Sequence, residues 1–372
     1  MSPTSRTPTG DSPVLLTGAS DPVAAFWDAH RRGRSIAVRT SGTTAAAART
    51  IVRTTASWID SFDAVAARLG LTASDRVWIP GEMDSTMNLF AACLAGHVGA
   101  GWSVDAAGAT VAQLTPTGLD RLLADASARP GSGRPGSALA PGATCLIAGD
   151  ALSASLRDRA RAAGLRVEHY YGAAELSLVA WGTCADDLAP FTHVEVDVRD
   201  GVLWVRSPWL SLGPAPGTPQ GAWRADGRGF ATVGDLGRLD GGVLRVLGRP
   251  GSVTTAGATV TLAPLAVALS EHASEPVRLV GVPHPRLGEV LTAVVRTPAD
   301  RDSARAWARR NLSGGERPRA WVVVDELPVT KAGKVDQAAL ARRAGEILAG
   351  RSASGSPGPS AGGPAHHQAG AR

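Results

Sequence analysis

A run of hydroxyl-bearing residues, TSGTT at positions 40–44, follows a short apolar segment. Backbone N–H groups and hydroxyls at the start of a helix bind phosphate well, so this run is a candidate phosphate-binding loop. It is not a Walker-type loop, because alanines occupy positions 45–48 and Arg49 supplies the first positive charge. The same residues also fit an ordinary helix start, in which Thr44 caps the helix and the alanines continue it.

Two carboxylates stand at turns that would give them fixed positions. Glu175 ends the segment YYGAAE, where a carboxylate could hold Mg²⁺ against a triphosphate, because magnesium takes one or two protein carboxylates together with phosphates. Asp235 follows Gly234 at a predicted hairpin and could accept two ribose hydroxyls. Each carboxylate also fits an ordinary solvated turn.

Two basic residues near the C-terminal part of the chain are further candidates. Arg249 follows Gly248 and could pair with a phosphate in a forked geometry. Lys334 lies in a glycine-containing loop between an apolar strand, WVVVDEL, and a predicted helix. Lys334 also fits a plain surface lysine, and Arg249 a solvated turn residue.

The elements that must position these residues alternate in the first half of the chain. Residues 25–33 fit the end of a helix, and helical spacing predicts helices at 58–71, 87–101 and 151–165. Short apolar runs predict strands at 35–42, 75–81, 144–150 and 166–175. The Gly- and Pro-rich stretch 129–142 predicts a surface loop. This alternation predicts an α/β fold with a mostly parallel sheet.

The pattern changes after residue 192. Residues 193–207 and 234–249 alternate strictly around Asp-Gly turns, which predicts two β-hairpins and a β-rich subdomain. Strands and a helix further on predict a small C-terminal α+β domain. We therefore expect a large N-terminal domain at 13–250 and a small domain at 251–349. Composition predicts disorder at 1–12 and in the tail, 350–372.

Composition narrows the class of protein. The chain has 372 residues, 44% of them hydrophobic, and a net charge of +5. The basic residues are scattered without a block of like charge, so no nucleic-acid partner is expected. The three cysteines lie far apart and suggest neither a disulfide framework nor a metal site, which favours a cytoplasmic location. No apolar run is long enough to predict a membrane span.

Taken in order, these segments resemble one family, the adenylate-forming enzymes, which include acyl- and aryl-CoA ligases, peptide-synthetase adenylation domains and luciferases. The resemblance covers roughly residues 35 to 345. The segments that carry it are TSGTTAAAAR, IAGDALS, YYGAAE, GVLWVRSPWLSLGP, VGDLGRLDGGVLRVLGR, LVGVPHPRLGEVLTAVV and LPVTKAGKVDQAAL. Each motif alone is modest, but their order and spacing make the resemblance specific.

The resemblance implies a two-step ligase. A small carboxylic acid would attack the α-phosphate of Mg·ATP, which gives an acyl-adenylate and pyrophosphate. A thiol, either coenzyme A or the pantetheine of an acyl carrier protein, would then displace AMP. Catalysis in such phosphate chemistry is mostly positioning and charge neutralisation. The sequence does not indicate which carboxylic acid is used.

The resemblance also implies roles for individual residues. It assigns ATP binding to Thr40, Ser41, Gly42, Thr43, Thr44, Arg49, Gly149, Tyr171, Gly172, Asp235 and Arg249. Within this set Asp235 would hold the ribose hydroxyls, and Tyr171 would stack on the adenine. Glu175 would hold Mg²⁺. Lys334 and Arg249 would be catalytic, with Lys334 bridging the substrate carboxylate and the α-phosphate.

Departures from the family pattern keep a second interpretation open. The region before the phosphate loop is short, and Ala45 and Ala48 replace the loop's usual glycine and lysine. Arg49, next to Ala48, could reach the phosphate that the missing lysine normally contacts. Ala174 replaces a threonine of the family pattern, which removes a hydroxyl group. The alternative is a catalytically weak homologue that binds nucleotide or acyl-CoA as a regulatory or scaffold partner.

The resemblance also implies a hinge between the two domains, which is expected just after Arg249.

Overall fold

The computed structural model describes residues 12–39, 49–127, 139–218, 221–248, 251–255, 258–284, 288–312, 314–331 and 333–354. The helices are α1 (Pro22–Arg31), α2 (Ala56–Leu69), α3 (Thr86–Val98), α4 (Pro116–Ser127), α5 (Ala154–Ala162), α6 (Leu262–Ser270), α7 (Pro298–Asn311) and α8 (Gln337–Ser354). The strands are β1 (Val14–Leu15), β2 (Ile36–Arg39), β3 (Thr50–Arg53), β4 (Arg76–Trp78), β5 (Gly101–Ser103), β6 (Ala109–Leu114), β7 (Leu139–Ile147), β8 (Arg166–Ala173), β9 (Ser177–Gly182), β10 (Ala189–Pro190), β11 (Glu195–Arg199), β12 (Val202–Arg206), β13 (Gly213–Pro214), β14 (Arg224–Ala225), β15 (Ala231–Thr232), β16 (Leu236–Asp240), β17 (Val243–Gly248), β18 (Ser252–Thr255), β19 (Ala258–Thr261), β20 (Arg278–His284), β21 (Gly288–Val295) and β22 (Ala320–Val323).

The central sheet has the order β10-β9-β8-β7-β6-β4-β5. Its strands from β5 to β8 are parallel, and at one edge β9 pairs antiparallel with β8 and β10 pairs antiparallel with β9. Both faces are covered: Leu146 packs in the core formed with α2 and α3, whereas Cys145 and Ile147 pack in the core formed with α4 and α5. A parallel sheet is normally buried on both faces, which explains the continuous apolar character of β7. The predicted α/β fold with a mostly parallel sheet is confirmed.

Two smaller sheets adjoin the central one. Strands β1, β2, β3 and β13 form a four-stranded sheet, and β11 to β17, without β13, form the predicted β-rich part. The hairpin between β11 and β12 turns at Asp200 and Gly201, whose φ angles are 50° and 77°. Two successive left-handed residues match the twist of the flanking strands, and Asp-Gly tolerates them well. The hairpin prediction is therefore confirmed.

The C-terminal part is a separate α+β unit. Strands β19, β18, β21 and β20 form its sheet, and β22 pairs in parallel with β21. Leu279 faces the core formed with α6 and α7, and the adjacent Val280 faces the core formed with α8. This alternation in one strand gives a sheet with helices on both faces.

Two predicted boundaries are wrong. Strand β7 begins at Leu139, inside the predicted surface loop, because Leu139 pairs with Ala109 of β6. Helix α8 extends to Ser354, beyond the predicted start of a disordered tail at 350, and Arg351 Nη1 donates a hydrogen bond to the Trp321 carbonyl at 2.9 Å. The remaining residues predicted to be disordered, 1–11 and 355–372, lie outside the described residues. Within the described part of the chain, no helix combines the length and apolar character needed to cross a membrane.

Candidate active site

Glu175 lies in a tight turn between β8 and β9. Its side chain is buried, and its backbone carbonyl accepts a hydrogen bond from the Ser211 N–H at 2.9 Å. The turn requires glycine at position 172, because a Cβ there would overlap the Ser177 carbonyl oxygen. Backbone contacts therefore place the Glu175 carboxylate.

Arg53 lies beneath this turn at the end of β3. Its fully buried guanidinium donates hydrogen bonds to the carbonyls of Ala174 at 2.9 Å and Trp209 at 2.8 Å, and to Ser57 Oγ at 2.9 Å. Burial lowers the pKa of Arg53 to about 9, and the nearby Glu175 carboxylate acts in the opposite direction. Arg53 therefore stays protonated at neutral pH and fixes a positive charge near Glu175.

The sequence offered one weak signal for Arg53. It ends the short strand TIVR, in which Ile51 and Arg53 are both buried. A charged residue at a buried strand position must be paired, because an isolated buried charge is very costly. Two of its partners, the carbonyls of Ala174 and Trp209, are far along the chain, and local pattern does not identify them.

Arg49 reaches Glu175 from the segment that follows the predicted phosphate loop. The distance from Arg49 Nη2 to Glu175 Oε1 is 3.3 Å, and the side chains are 14% and 2% exposed, respectively. Glu175 Oε1 nevertheless accepts no hydrogen bond of good geometry from the described residues. A Cβ at Gly221 would overlap the Arg49 guanidinium, so a glycine is needed beside it. A predicted phosphate ligand and a predicted metal ligand are thus in direct contact.

The predicted adenine and ribose residues also meet. The hydroxyl of Tyr171, on β8, donates a hydrogen bond to Asp235 Oδ2 at 2.7 Å. Asp235 is buried and lies between β15 and β16, directly after Gly234, which has a φ of 78°. The turn and the hydrogen bond hold the carboxylate at a defined position.

Lys334 lies in a compact loop that reaches the large domain. The loop is closed by hydrogen bonds from the Thr330 N–H to the Lys334 carbonyl at 2.7 Å and from the Gly333 N–H to the Thr330 carbonyl at 2.9 Å. Gly333 has a φ of 73° and packs on Thr115. The Cε atom of Lys334 lies 3.4 Å from the position that a Cβ would take on Gly149. The structure therefore brings Lys334 close to Gly149, one of the predicted ATP-binding residues.

Polar contacts dock the small domain in this position. They join Arg278 to Asp150 at 2.8 Å, Arg296 to Asp120 at 3.1 Å, and Glu275 to Ser153 at 3.2 Å. Burial raises the pKa of the Glu275 carboxyl, and hydrogen bonds from the serines oppose this effect. One of these contacts involves Asp150, the neighbour in sequence of Gly149, which Lys334 approaches.

Several predicted residues lie outside the described part of the chain. These are Thr40, Ser41, Gly42, Thr43 and Thr44 of the phosphate loop, Ala45 and Ala48 after it, and Arg249. Their roles stay predictions. Among the described residues there is no cluster of three or more His, Cys, Asp or Glu side chains that could hold a metal.

Comparison with known proteins identifies chains that are similar to this one. Residues 266–334 match the family model described as the AMP-binding enzyme C-terminal domain. The chain is 27% identical over 332 residues to the uncharacterized acyl-CoA ligase YhfT of Bacillus subtilis, which covers 80% of this chain and 66% of that protein. It is 34% identical over 216 residues to a probable 2-succinylbenzoate-CoA ligase of Mycobacterium tuberculosis, which covers 54% of each chain.

Solved structures show the same fold. ATP-bound MatB from Rhodopseudomonas palustris superposes with a TM-score of 0.66 at 21% identity, over 84% of this chain and 68% of that one. The chain spans only about half to two thirds of the length of the two curated relatives above, 54% and 66%. The large α/β domain and the small α+β domain are those of the structural relatives.

Proposed function

We propose that the chain is an adenylate-forming enzyme that activates a small carboxylic acid with ATP and then transfers the acyl group to a thiol. The observation that carries this proposal is the approach of Lys334, from the small domain, to Gly149 of the large domain. The Tyr171–Asp235 pair provides a second fixed group for the same nucleotide. The proposal thus rests on residues that are far apart in sequence and close in space.

Lys334 would neutralise charge in the first step. A carboxylate and a triphosphate repel each other, and a cation that reaches both lowers that repulsion where charge develops. Lysine suits this task because it is a compact charge on a flexible stem. The carboxylate oxygen would bond to the α-phosphorus while the bond to pyrophosphate breaks.

Glu175 fits the role of a magnesium ligand. Its buried Oε1 accepts no good hydrogen bond from the described residues, so it retains the capacity to bind a cation. Magnesium needs only one or two carboxylates when phosphates and waters supply its other ligands. When bound, Mg²⁺ would neutralise charge on the phosphates.

In the second step a thiol would displace AMP from the acyl-adenylate. We propose coenzyme A as the acceptor, because the two curated relatives described above are named CoA ligases. Pantetheine on an acyl carrier protein is the other acceptor with the required thiol. We propose a cytoplasmic location, where these acceptors and ATP are present and where the three buried, unpaired cysteines would remain reduced.

Release of pyrophosphate tests the first step directly. ATP would be incubated with the protein and a panel of short, medium and aromatic carboxylic acids, with Lys334→Ala as the control. Pyrophosphate released in the presence of a particular acid, and lost in the variant, is the expected result. Tight ATP binding without pyrophosphate release from any acid would favour the alternative, a homologue that binds nucleotide in a regulatory or scaffold role.

A further inference from the structure

We propose that Thr115 is a positioning residue for Lys334, whose side chain sets how far the loop that carries Lys334 enters the large domain. Thr115 lies between β6 and α4 and belongs to none of the motifs described above. The inference rests on the proposed function, since it concerns the place that Lys334 takes during adenylate formation.

The backbone next to Lys334 lies directly against the Thr115 side chain. A Cβ atom on Gly333 would lie 3.2 Å from Thr115 Oγ1 and 3.2 Å from Thr115 Cγ2. The three atoms nearest to that position all belong to Thr115. Both branches of the Thr115 side chain therefore limit how closely this loop can approach the large domain.

The same side chain faces the place where the Lys334 stem lies. A Cβ atom on Gly149 would lie 3.4 Å from Lys334 Cε and 3.6 Å from Thr115 Cγ2. Met87 Sδ would be 3.7 Å from the same position. Because Gly149 has no side chain, the methylene stem of Lys334 can lie among these apolar atoms while its charge stays in a polar site. Thr115 thus limits both the loop and the stem.

Thr115 is itself held in place by its own helix. It is only 6% exposed, and its Oγ1 atom accepts a hydrogen bond from the Gly118 N–H at 3.1 Å. Its carbonyl accepts a hydrogen bond from the Leu119 N–H at 2.9 Å, so Thr115 caps the beginning of α4. A β-branched side chain has few χ1 rotamers, and this hydrogen bond selects among them. The side chain therefore presents a fixed surface to the small domain.

The proposal predicts an effect on one half-reaction. A larger side chain at position 115 would hold the loop away, so we expect Thr115→Ile to lower kcat for adenylate formation by about 10- to 100-fold, the scale of a misplacement of about 1 Å. The KM for ATP should not change, because the Tyr171–Asp235 pair belongs to the large domain. Thioester formation from presynthesised acyl-AMP should not change either, because Lys334 would act only in the first step.

Chemical labelling of lysines measures the position of the loop without any activity. Lys331 is 89% exposed in the same loop and serves as the internal reference, whereas Lys334 is partly buried. Labelling with trinitrobenzenesulfonate, followed by mass spectrometry of peptides, gives the ratio of the two rates. We expect Lys334 to react more slowly than Lys331 in the wild type, and to react nearly as fast as Lys331 in Thr115→Ile.

Two further variants separate the size of the side chain from the loss of the helix cap. Thr115→Val keeps a branched side chain of the same size, so it should recover the wild-type labelling ratio and most of the adenylation rate. Thr297→Ile is the matched control, because Thr297 also caps a helix that begins with proline, and its hydroxyl accepts the Asp300 N–H at 3.0 Å. Thr297→Ile should lower the Tm about as much as Thr115→Ile and leave the labelling ratio unchanged.

The outcomes separate the positioning role from the proposed function. Unchanged labelling of Lys334 in Thr115→Ile would overturn the positioning role, and so would unchanged adenylation where the wild type is active. Equal losses in Thr115→Val and Thr115→Ile would overturn it as well, because they would assign the effect to the cap. If the labelling ratio changes as expected but the wild type releases no pyrophosphate with any acid, the positioning role holds and the proposed function fails. Thr115→Leu replaces Thr115→Ile if that variant does not fold.

Discussion

At the scale of single residues, the site depends on charges that are held by backbone contacts. Glu175 is placed by its turn and Arg53 by two carbonyls, so neither depends on a mobile side-chain partner. Lys334 is different, because its loop belongs to the other domain. The fixed groups of the large domain would bind the nucleotide and its metal. Lys334, from the small domain, would act only in adenylate formation.

Alanine at Lys334 should separate the two half-reactions. We expect Lys334→Ala to lower adenylate formation by about 10²–10³-fold, the usual effect of removing one preorganised electrostatic contact. Thioester formation from presynthesised acyl-AMP should change much less. Rapid-quench assays of each half-reaction measure both effects.

Lys331 provides the control for Lys334 in the same loop. Its side chain is 89% exposed and lies 3.9 Å from a Glu82 carboxylate oxygen. Such an exposed pair contributes little, so Lys331→Ala should keep both half-reactions. An equal loss in both half-reactions of Lys334→Ala, or an equal effect of Lys331→Ala, would contradict the role of Lys334.

Replacing Arg53 should act on stability as well as on the site. Arg53→Met would leave the Ala174 and Trp209 carbonyls buried without donors, so we expect a loss of about 3–5 kcal/mol in the free energy of unfolding. Urea denaturation followed by circular dichroism measures this loss. A change below about 1 kcal/mol, the scale of exposed pairs, would show that Arg53 is not essential to the turn.

At the scale of elements, the ends of strands decide which groups reach the site. The turn after β8 presents Glu175, and the irregular pairing at Tyr171 and Gly172 coincides with the change in direction. In the small domain, α8 continues through Arg351, whose guanidinium donates a hydrogen bond to the Trp321 carbonyl.

The end of α8 can be tested by truncation. A chain that stops at Gly350 loses the Arg351 hydrogen bond, and we expect a fall in Tm of about 1–4 °C, the effect of one such bond in a chain of this size. A chain that stops at Ser354 should melt like the 372-residue chain, because composition predicts that the tail adds no core. Differential scanning calorimetry compares the three. Equal melting of both truncated chains would show that Arg351 contributes nothing.

At the scale of the whole molecule, docking of the small domain determines whether Lys334 meets Gly149. The docking contacts are polar and partly exposed, with Arg296 at 29% and Asp120 at 20% exposure. Such contacts are individually weak, so they would let the small domain separate and return in the proposed reaction. A reversible dock is what a two-step reaction with one shared site requires.

A shared partner, Asp120, allows a matched test of docking. It contacts Arg296 across the domains at 3.1 Å and Arg159 within the large domain at 2.9 Å. Arg296→Ala should lower adenylation by about two- to fivefold, the scale of one partly exposed ion pair, and should leave thiol transfer unchanged. Arg159→Ala should change neither half-reaction. Equal effects of the two variants would show that the contact across the domains has no special role.

Local pattern by itself predicted part of the elements and the order of the motifs. Helix α2 ends at Gly70, whose φ is 68°, and the Asp200-Gly201 hairpin forms as its alternation predicts, because these signals act within a few residues. Candidate residues such as Glu175, Asp235 and Lys334 could also be chosen from local signals, namely the residue type and the residues next to it in sequence.

Only the tertiary structure decided which of these residues meet. Arg49 reaches Glu175, and Lys334 reaches Gly149, through strand order and domain docking that no local pattern encodes. The same cause explains the wrong boundary at Leu139, where pairing with β6 outweighs a Gly- and Pro-rich composition. Hydrogen bonding and burial between distant segments are stronger than local propensity, so they fix contacts that the sequence leaves open.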